Sequence, residues 1–521
     1  MDRREFLRSA GRTALGVAGL SMLGAACTPA GARRAPAAST AFDGPPADGD
    51  WSAFGRSLAG KLIRPGDPAY PTAKQLFDPR FDYLHPAAIA ECRSASDVQQ
   101  SIQFARNHGL PFTARSGGHS YAGYSSGSGL VCDVGHLSSV SVNAAAKTAT
   151  IGAGARLVDI YAVLAQHGLA FAGGSCPTVG ISGLTLGGGQ GVLGRKFGLA
   201  SDNLRSLKIV TAAGDLLTCD ATHNSDLFWA CRGGGGGNFG VVTSFTFAVH
   251  PVTTLSRFFL SWPWSHASDV LHAWQSWAPN RPDALWSTCH LHAAVGQPGV
   301  SVSGVYVGPQ TGLSAQLPSL INAVGAQPTT KQIASDSVAE TMMVEAGCSD
   351  LTVAECHLPT QNQAGKLSRQ IEKAKSDFFG HVLPPAGVQA VVDAIDARLH
   401  DPALQTGGGV LIDAYGGALN RPAQDATAFV HRDQLFLAQY FTTWSTSTAK
   451  STVNATLKWL SDFAHTMRPY ASGQAYQNYI DPDRGDWEHA YYGSNLSRLR
   501  HVKSTYDPHG FFHFRQSIPP A

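Results

Sequence analysis

Charged side chains are scarce in this 521-residue chain. They make up 15% of it, and 39 Lys and Arg stand against 37 Asp and Glu, for a net charge of +2. No basic face is left over for nucleic acid. Long hydrophobic runs are lacking too. The apolar stretch from Ala10 to Ala26 is interrupted by glycines and Ser21 and is short for a membrane span. Internal repeats are missing, which excludes a solenoid. Zinc-ligand spacing is missing as well: Cys348, Cys356 and His357 do not fall at the usual intervals, and the 20 histidines are scattered. The dinucleotide fingerprint is incomplete. Gly152 and Gly154 have the right spacing, but Leu157 holds the third glycine's place and no convincing acidic residue follows. Gly123-Tyr124-Ser125-Ser126-Gly127 matches the nucleophile-elbow pattern, yet a loop before it and a strand after it argue against that motif.

What is abundant is glycine, at 56 residues, concentrated in three loops. The first is Arg115-Ser116-Gly117-Gly118-His119-Ser120-Tyr121. The second runs from Gly173 through Gly174, Ser175, Cys176, Pro177, Thr178, Val179, Gly180, Ile181, Ser182 and Gly183 to Gly187, Gly188, Gly189 and Gly191. The third is Arg232, then Gly233 to Gly237, Asn238, Phe239 and Gly240. Residues without a Cβ let backbone approach a ligand closely and adopt φ > 0. His119 alone reads as a loop histidine bonded to backbone, and Cys176 alone as a small hydrophobe or half a disulfide. Inside matching loops they read as two nucleophiles, an imidazole and a thiolate, reaching one large phosphate-bearing cofactor.

With 43% hydrophobic residues the chain can bury a core in two or three domains. A helix is expected from Ser94, capped by Ser96 and closed by Gly109, then strands at 111–114, 130–134 and 148–151. A helix over 156–167, a hairpin over 207–218 and a half-buried strand over 241–249 follow. After Pro251, Trp262, Trp264, Trp274 and Trp277 cluster. Strands are expected at 300–307, 410–415 and 434–444, and helices at 313–324 and 453–467. The mixture predicts an α+β fold with an antiparallel sheet in a second domain.

Asp2-Arg3-Arg4-Glu5-Phe6-Leu7-Arg8 looks like a twin-arginine export motif, and residues 1–32 read as its signal segment. Cys27 follows a lipoprotein-like stretch, so a lipid anchor or ordinary cleavage near Ala32 are both open. Residues from Thr28 to about Asp50 read as a tether, and 33–74 as a tether with an N-terminal extension. The expected location is outside the cytoplasm: secreted, periplasmic or a surface lipoprotein. Export permits disulfides. Beyond Cys27 and Cys176 an odd number remains, Cys92, Cys132, Cys219, Cys231, Cys289, Cys348 and Cys356, and the sequence does not pair them.

Taken in order, these loops resemble the berberine bridge enzyme type of FAD-linked oxidase, within the vanillyl-alcohol oxidase (PCMH-type) fold. The resemblance covers most of 75–250 and 470–515, where Gly198 to Asn203, Tyr476-Gln477-Asn478-Tyr479 and the tail Lys503, Tyr506-Asp507-Pro508, Phe511-Phe512 also match. It implies a FAD-binding domain over 75–252, a substrate domain over 253–468 with a large antiparallel sheet, and a returning segment over 469–521. It implies FAD bound covalently through His119 and Cys176. Arg115, Ser116, Gly117, Gly118, Ser120, Gly174, Thr178, Val179, Gly180, Ser182, Gly183, Gly188, Gly189, Gly191, Asn203, Gly240, Val241, Val242, Tyr476 and Asn478 would complete the cradle.

The same resemblance makes Tyr479 the catalytic base, which needs a depressed pKa. Asp413 would assist and Tyr121 would line the pocket, with Tyr415 and Gln439 as weaker candidates. Val179 would leave oxygen a path to the flavin, favouring an oxidase that gives H2O2 over a dehydrogenase. Leu184 departs from the histidine of many plant members. The implied substrate is an alcohol or hemiacetal carbon of a sugar, oligosaccharide or polycyclic natural product. The four tryptophans would stack sugars or simply fill a core. A hydrolase using Ser125, or a ligand-binding lipoprotein, is the reading from a different class.

Overall fold

The computed structural model describes residues 44–294 and 297–521. The expected export segment, Cys27 and most of the expected tether lie outside the described residues.

The first sheet contains β1 (Lys61–Ile63), β2 (Ala88–Glu91), β3 (Phe112–Arg115) and β4 (Leu130–Asp133), in the order β1-β2-β4-β3. β2 and β3 run parallel to β4, and β1 is antiparallel to β2. Parallel strands are covered on both faces and read as continuous apolar runs. Ala88, Ile89, Ala90, Leu130, Val131 and Cys132 are accordingly all buried. The helix Ala95–Asn107 connects β2 to β3 and buries Val98, Ile102 and Ala105. Its cap is Ser94, not Ser96 as expected: the Ser94 hydroxyl accepts from the Asp97 amide at 3.1 Å. Asp97 returns the interaction by accepting from the Arg93 amide at 2.7 Å, so the turn closes one step earlier. A further helix, Asp48–Ser57, packs on this one through Phe54 stacked on Phe104 at 4.4 Å. A helix therefore begins at Asp48, inside the stretch expected as tether.

The second sheet has β5 (Val140–Asn143), β6 (Thr148–Gly152), β8 (Leu204–Val210), β9 (Leu216–Asp220) and β10 (Val241–Ala248), in the order β5-β6-β10-β8-β9, all antiparallel. A short pair, β7 (Leu169–Ala170) with β11 (His250–Pro251), lies beside it in the chain order.

The third sheet has β12 (Leu255–Trp262), β13 (Leu285–Ala294), β14 (Gln297–Val307), β15 (Thr330–Asp336), β16 (Ile371–Phe379), β17 (Gly407–Ala414) and β18 (Phe436–Trp444). Its order is β15-β12-β14-β13-β17-β18-β16, antiparallel throughout. Successive side chains alternate faces. One face carries Val410, Ile412, Ala438 and Tyr440 into a core shared with the helices Ala267–Trp277, Leu317–Val324, Pro385–His400 and Lys450–Met467. The other face carries Asp413 and Leu411 of β17, Gln439 of β18, and Ser376 and Glu372 of β16, set by the pairs Leu411↔Gln439, Ser376↔Gln439 and Glu372↔Thr443. The expected helix over 313–324 is two helices, Gln310–Ser314 and Leu317–Val324. Pro318 lies in the first turn of the second, where a missing N–H does no harm.

The tryptophans fill core. Trp262, Trp274 and Trp277 are 4%, 0% and 5% exposed. Their indole N–H groups donate to the Ala326 carbonyl (2.9 Å), Ser287 Oγ (3.1 Å) and Ser319 Oγ (2.9 Å), and that of Trp264 to Asp396 at 2.6 Å. Trp264 is half-buried against the same core. Cys348 and Cys356 form a disulfide with Cα atoms 5.9 Å apart, and Cys92, Cys132, Cys219, Cys231 and Cys289 are buried thiols. Among the described residues no helix is long and apolar enough to cross a membrane.

Buried cations hold the parts together. Arg195, 1% exposed, donates to the carbonyls of Leu285 (2.8 Å), Arg281 (2.7 Å) and Tyr415, fastening the glycine-loop region to the large sheet. Arg432 pairs with Asp202 at 2.6 Å. The helix Leu496–Tyr506 brings Lys503 back to the first domain. Its ammonium donates to Asp507, the Asn238 carbonyl and the Phe512 carbonyl, each at 2.6 Å, and both Lys503 and Asp507 are 1% exposed. Asp507→Leu would leave that ammonium buried without a counter-charge. Urea unfolding should show a loss of about 3–5 kcal/mol, against roughly 0–1 kcal/mol for breaking an exposed pair such as Lys458–Asp462.

Candidate active site

The histidine and cysteine loops meet backbone to backbone. A Cβ at Gly117 would lie 2.2 Å from the Gly180 nitrogen, and one at Gly180 would lie 2.2 Å from Ser116 Oγ. The Ser116 and Ser182 hydroxyls both donate to the Ala153 carbonyl, at 2.8 and 2.6 Å, anchoring both loops at the end of β6. Gly188 (φ +114°) and Gly189 (φ +83°) turn the chain through the left-handed region. The returning C-terminal segment clamps that turn. Tyr476 Oη accepts from the Gly189 amide (3.0 Å), the Gln190 amide (3.3 Å) and Asn478 Nδ2 (2.9 Å), and Asn478 Nδ2 also donates to the Leu184 carbonyl at 2.9 Å.

His119 stacks on Phe77 at 4.0 Å, and its Nε2 lies 2.9 Å from Thr178 Oγ1. Burial, helped by the charge of Arg156, pushes its pKa down to about 3. The ring is therefore a neutral imidazole at ordinary pH. Cys176 is exposed on the facing loop. Other expected cradle residues are bound within the protein. Arg115 pairs with Asp133 at 2.7 Å and donates to the Ala73 carbonyl at 2.8 Å. Asn203 donates to the Phe197 and Leu199 carbonyls and lies 2.7 Å from His250 Nε2. Ser120 Oγ accepts from the Tyr124 amide at 3.1 Å. Gly240 leads into β10, where Val241 and Val242 are buried.

Tyr121 and Tyr479 stack, with centroids 5.4 Å apart and planes 7° from parallel. Gln190 Nε2 donates to Asp413 Oδ2 at 3.2 Å and lies 3.4 Å from Tyr479 Oη. Gln439 Nε2 donates to Tyr121 Oη at 2.8 Å and to Glu372 Oε1 at 3.3 Å. The pKa of Tyr479 is raised well above the usual phenol value, by burial first and then by Asp413, Tyr476 and Cys176, with the Gln190 hydrogen bond opposing. That direction is opposite to the one a standing phenolate base needs. Tyr415, the weaker candidate, packs edge-on to Phe378 in a small apolar cluster behind Tyr479. Ser125 lies among turns that lead to β4, without the helix an elbow requires. Among the described residues no three His, Cys, Asp or Glu side chains group as a metal site.

Sequence reading passed over Gln190 and Glu372. Gln190 was visible only as a member of the glycine loop. Glu372 carries no local signal, since only the pairing of β16 with β18 brings it near Tyr121.

These residues suit a dinucleotide-sized flavin. The three loops contain no Asp or Glu, so nothing in them repels phosphate. A Cβ at Gly183 would meet no atom within 4 Å, while Gly236 of the third loop approaches the Gly183 Cα at 3.6 Å from its own Cβ position. Bare backbone thus borders open space between loops. Thr185 Oγ1 and Gln190 Oε1 are buried without a protein partner. His119 is neutral and Cys176 accessible, as bond formation to an electrophilic ring requires.

Residues 86–220 match the family described as FAD binding domain, and residues 475–519 the family described as berberine and berberine like. The uncharacterized FAD-linked oxidoreductase YgaK of Bacillus subtilis is 34% identical over 468 residues, 89% of this chain and 97% of its own. Berberine bridge enzyme-like D-2 of Nicotiana tabacum is 31% identical across 84% of this chain and 83% of its own. The solved structure of BBE-like 1 from Physcomitrella patens superposes with a TM-score of 0.82 at 30% identity, covering 90% of this chain and 99% of that one. A chitooligosaccharide oxidase superposes at 0.79 with 26% identity (91% and 100% covered), and Phl p 4, a grass pollen allergen with glucose dehydrogenase activity, at 0.78 with 29% identity (88% and 97% covered).

Two outcomes follow from the loop geometry. Gly117→Ala must part the two loops and should lower stability by about 1–3 kcal/mol, read in urea, with a matching fall in flavin bound per chain. His119 binds a proton more weakly folded than unfolded, so stability rises with pH between about 3 and the ordinary 6.5 and is lost as pH falls through that window. In His119→Asn the melting temperature should vary less over that range. Some slope remains, because His431, pushed down to about 4 by burial, acts in the same direction.

Proposed function

Because the chain belongs to the berberine bridge enzyme-like family of FAD-linked oxidoreductases, we propose that it carries FAD covalently through both His119 and Cys176 and oxidises an alcohol or hemiacetal carbon. The observation that carries this reading is that a neutral imidazole and an exposed thiol sit on two loops whose backbones meet at Gly117 and Gly180. Thr178 occupies Nε2 of His119, which leaves Nδ1 for the bond to the ring. When bound, FAD supplies the two-electron acceptor for hydride leaving the alcohol carbon.

The protein's own task is to hold the hydroxyl and remove its proton. Asp413 takes that proton, and Tyr479, kept as a phenol, hydrogen-bonds the substrate oxygen and relays. The raised pKa of Tyr479 and the shared contact of Gln190 with both groups support this division. In this division a carboxylate takes the part that the resemblance gave to a phenolate. Val179, half-buried beside Cys176, supports molecular oxygen as electron acceptor and H2O2 as product. The neighbouring oligosaccharide oxidase and glucose dehydrogenase support a sugar as substrate. Export through the twin-arginine route is part of the proposal, supported by Arg3-Arg4 and by the Cys348–Cys356 disulfide.

The yellow colour should stay with the denatured chain, and peptides carrying His119 and Cys176 should share one added FAD mass. His119→Ala or Cys176→Ala should each retain one link, and the double variant should release the flavin. A denatured parent chain that comes away colourless rules out covalent attachment. Asp413→Asn should lower kcat by about 10²–10⁴-fold in a peroxide-coupled assay, with flavin content unchanged. Val179→Leu should slow reoxidation by oxygen in a stopped-flow trace.

A further inference from the structure

Between β15 and β16 the chain leaves the large sheet and packs on the loop that carries Cys176. This excursion starts with the helix Val338–Glu345, capped by Ser337. Met342 and Met343 of that helix, Val158 and Tyr161 of the helix Leu157–Ala165, and Ser175 and Pro177 of the cysteine loop line one apolar cavity. The Cys348–Cys356 disulfide then ties the end of the helix Val338–Glu345 to the turn that follows. Val158 packs with both cysteines in a small buried cluster of its own.

Just past the disulfide, His357 and Gln361 reach back to the flavin-loop region. His357 Nδ1 lies 2.9 Å from the Val353 carbonyl, and its Nε2 lies 3.1 Å from Asp159 Oδ2. Gln361 Nε2 donates to the Thr178 carbonyl at 3.2 Å. Thr178 is two residues beyond Cys176, and its hydroxyl meets His119 Nε2 at 2.9 Å. The helix Leu157–Ala165 holds the same loop. The Leu157 and Val158 amides donate to the Val179 and Pro177 carbonyls at 3.1 and 3.2 Å, and Tyr161 Oη donates to the Gly174 carbonyl at 2.6 Å. The disulfide-closed turn therefore holds the cysteine loop directly at Thr178. Through Asp159 it also steadies the helix that holds the loop at Gly174, Pro177 and Val179. His119 sits on a different loop, seated by its stacking on Phe77 at 4.0 Å.

A glycine-rich loop has many conformations to choose from, so its partners decide its pose. A cross-link over a short turn removes the conformers in which His357 and Gln361 point elsewhere. We propose that Gln361 and His357, held by the Cys348–Cys356 disulfide, are positioning residues that brace the cysteine loop, so that flavin attachment at Cys176 depends on this turn while attachment at His119 does not. This rests on the reading of the chain as a doubly linked flavoprotein. Joining the Cys176 sulfur to a ring carbon removes one proton from each. Those two protons and two electrons go to molecular oxygen as H2O2, so the disulfide is not the oxidant and acts by position alone.

The test uses the full chain as purified with its flavin, and weighs the peptides that carry His119 and Cys176. Gln361→Leu keeps the side-chain bulk and removes the donor. Its ratio of Cys176-linked to His119-linked flavin should fall about fivefold, the worth of one hydrogen bond, with the melting temperature near the parent's. His357→Leu, which uncouples Asp159, and the double variant Cys348→Ala, Cys356→Ala should lower the same ratio. General loosening would lower both links together, so an equal loss of the two overturns the proposal. A parent-like ratio in Gln361→Leu or His357→Leu also overturns it, whether or not the double variant folds. A parent chain that lacks either link would instead overturn the doubly linked reading, and this proposal with it.

Discussion

Gly117 and Gly180 stand where the backbones of two loops meet, with no room for a methyl group on either side. Side chains here would push the loops apart, and with them the two ends of the hydrogen bond between His119 and Thr178. The contact is maintained from behind. Ser116 and Ser182 converge on a single carbonyl, that of Ala153, so both loops take their position from the end of one strand. The cost of such an arrangement is that the loops have little core of their own. Their stability comes from neighbours such as Tyr476 and Asn478, which bind Gly189 and Leu184, just as Lys503 holds the third loop at Asn238.

That dependence explains why the chain returns to its first domain after building the large sheet. Buried cations do the fastening, and they bind mainly carbonyl oxygens. Arg195 reaches across to Leu285, Arg281 and Tyr415, and Lys503 caps the third glycine loop through Asn238. A carbonyl is available wherever backbone leaves regular structure, and glycine-rich loops leave many of them unpaired. A guanidinium or ammonium can satisfy several at once from one position. The loops thus keep their glycine backbone bare while being tied by cations from behind.

The sheet contributes the chemistry. Its helix-covered face is an ordinary apolar core, into which the tryptophans disappear. The opposite face brings Asp413, Gln439 and Glu372 toward Tyr121 and Tyr479, which come from two other parts of the chain. Burial first and the neighbouring carboxylates second push the pKa of both phenols up, which favours their protonated form. For Tyr479 burial is the first cause of the upward shift, with Asp413, Tyr476 and Cys176 adding to it, and that direction runs against the depressed pKa a phenolate base needs.

Glycine density marked the three loops, and apolar periodicity marked the helix after Ser94, the hairpin over 207–218 and the strand over 241–249. Both are local properties, visible because backbone conformation and burial follow from neighbours in sequence. The α+β class and the positions of the glycine-rich loops were legible for that reason. The disulfide partner of Cys348, the fate of the tryptophans, the break at Ala315 and the placing of Glu372 were not. Each depends on what a distant segment does. Cross-strand register decides which side chains share a face, and one residue of slip would exchange Glu372 for Lys373. Local sequence determined which residues could approach a cofactor; only the paired strands and the returning C-terminal segment decided which charges stand around the tyrosines.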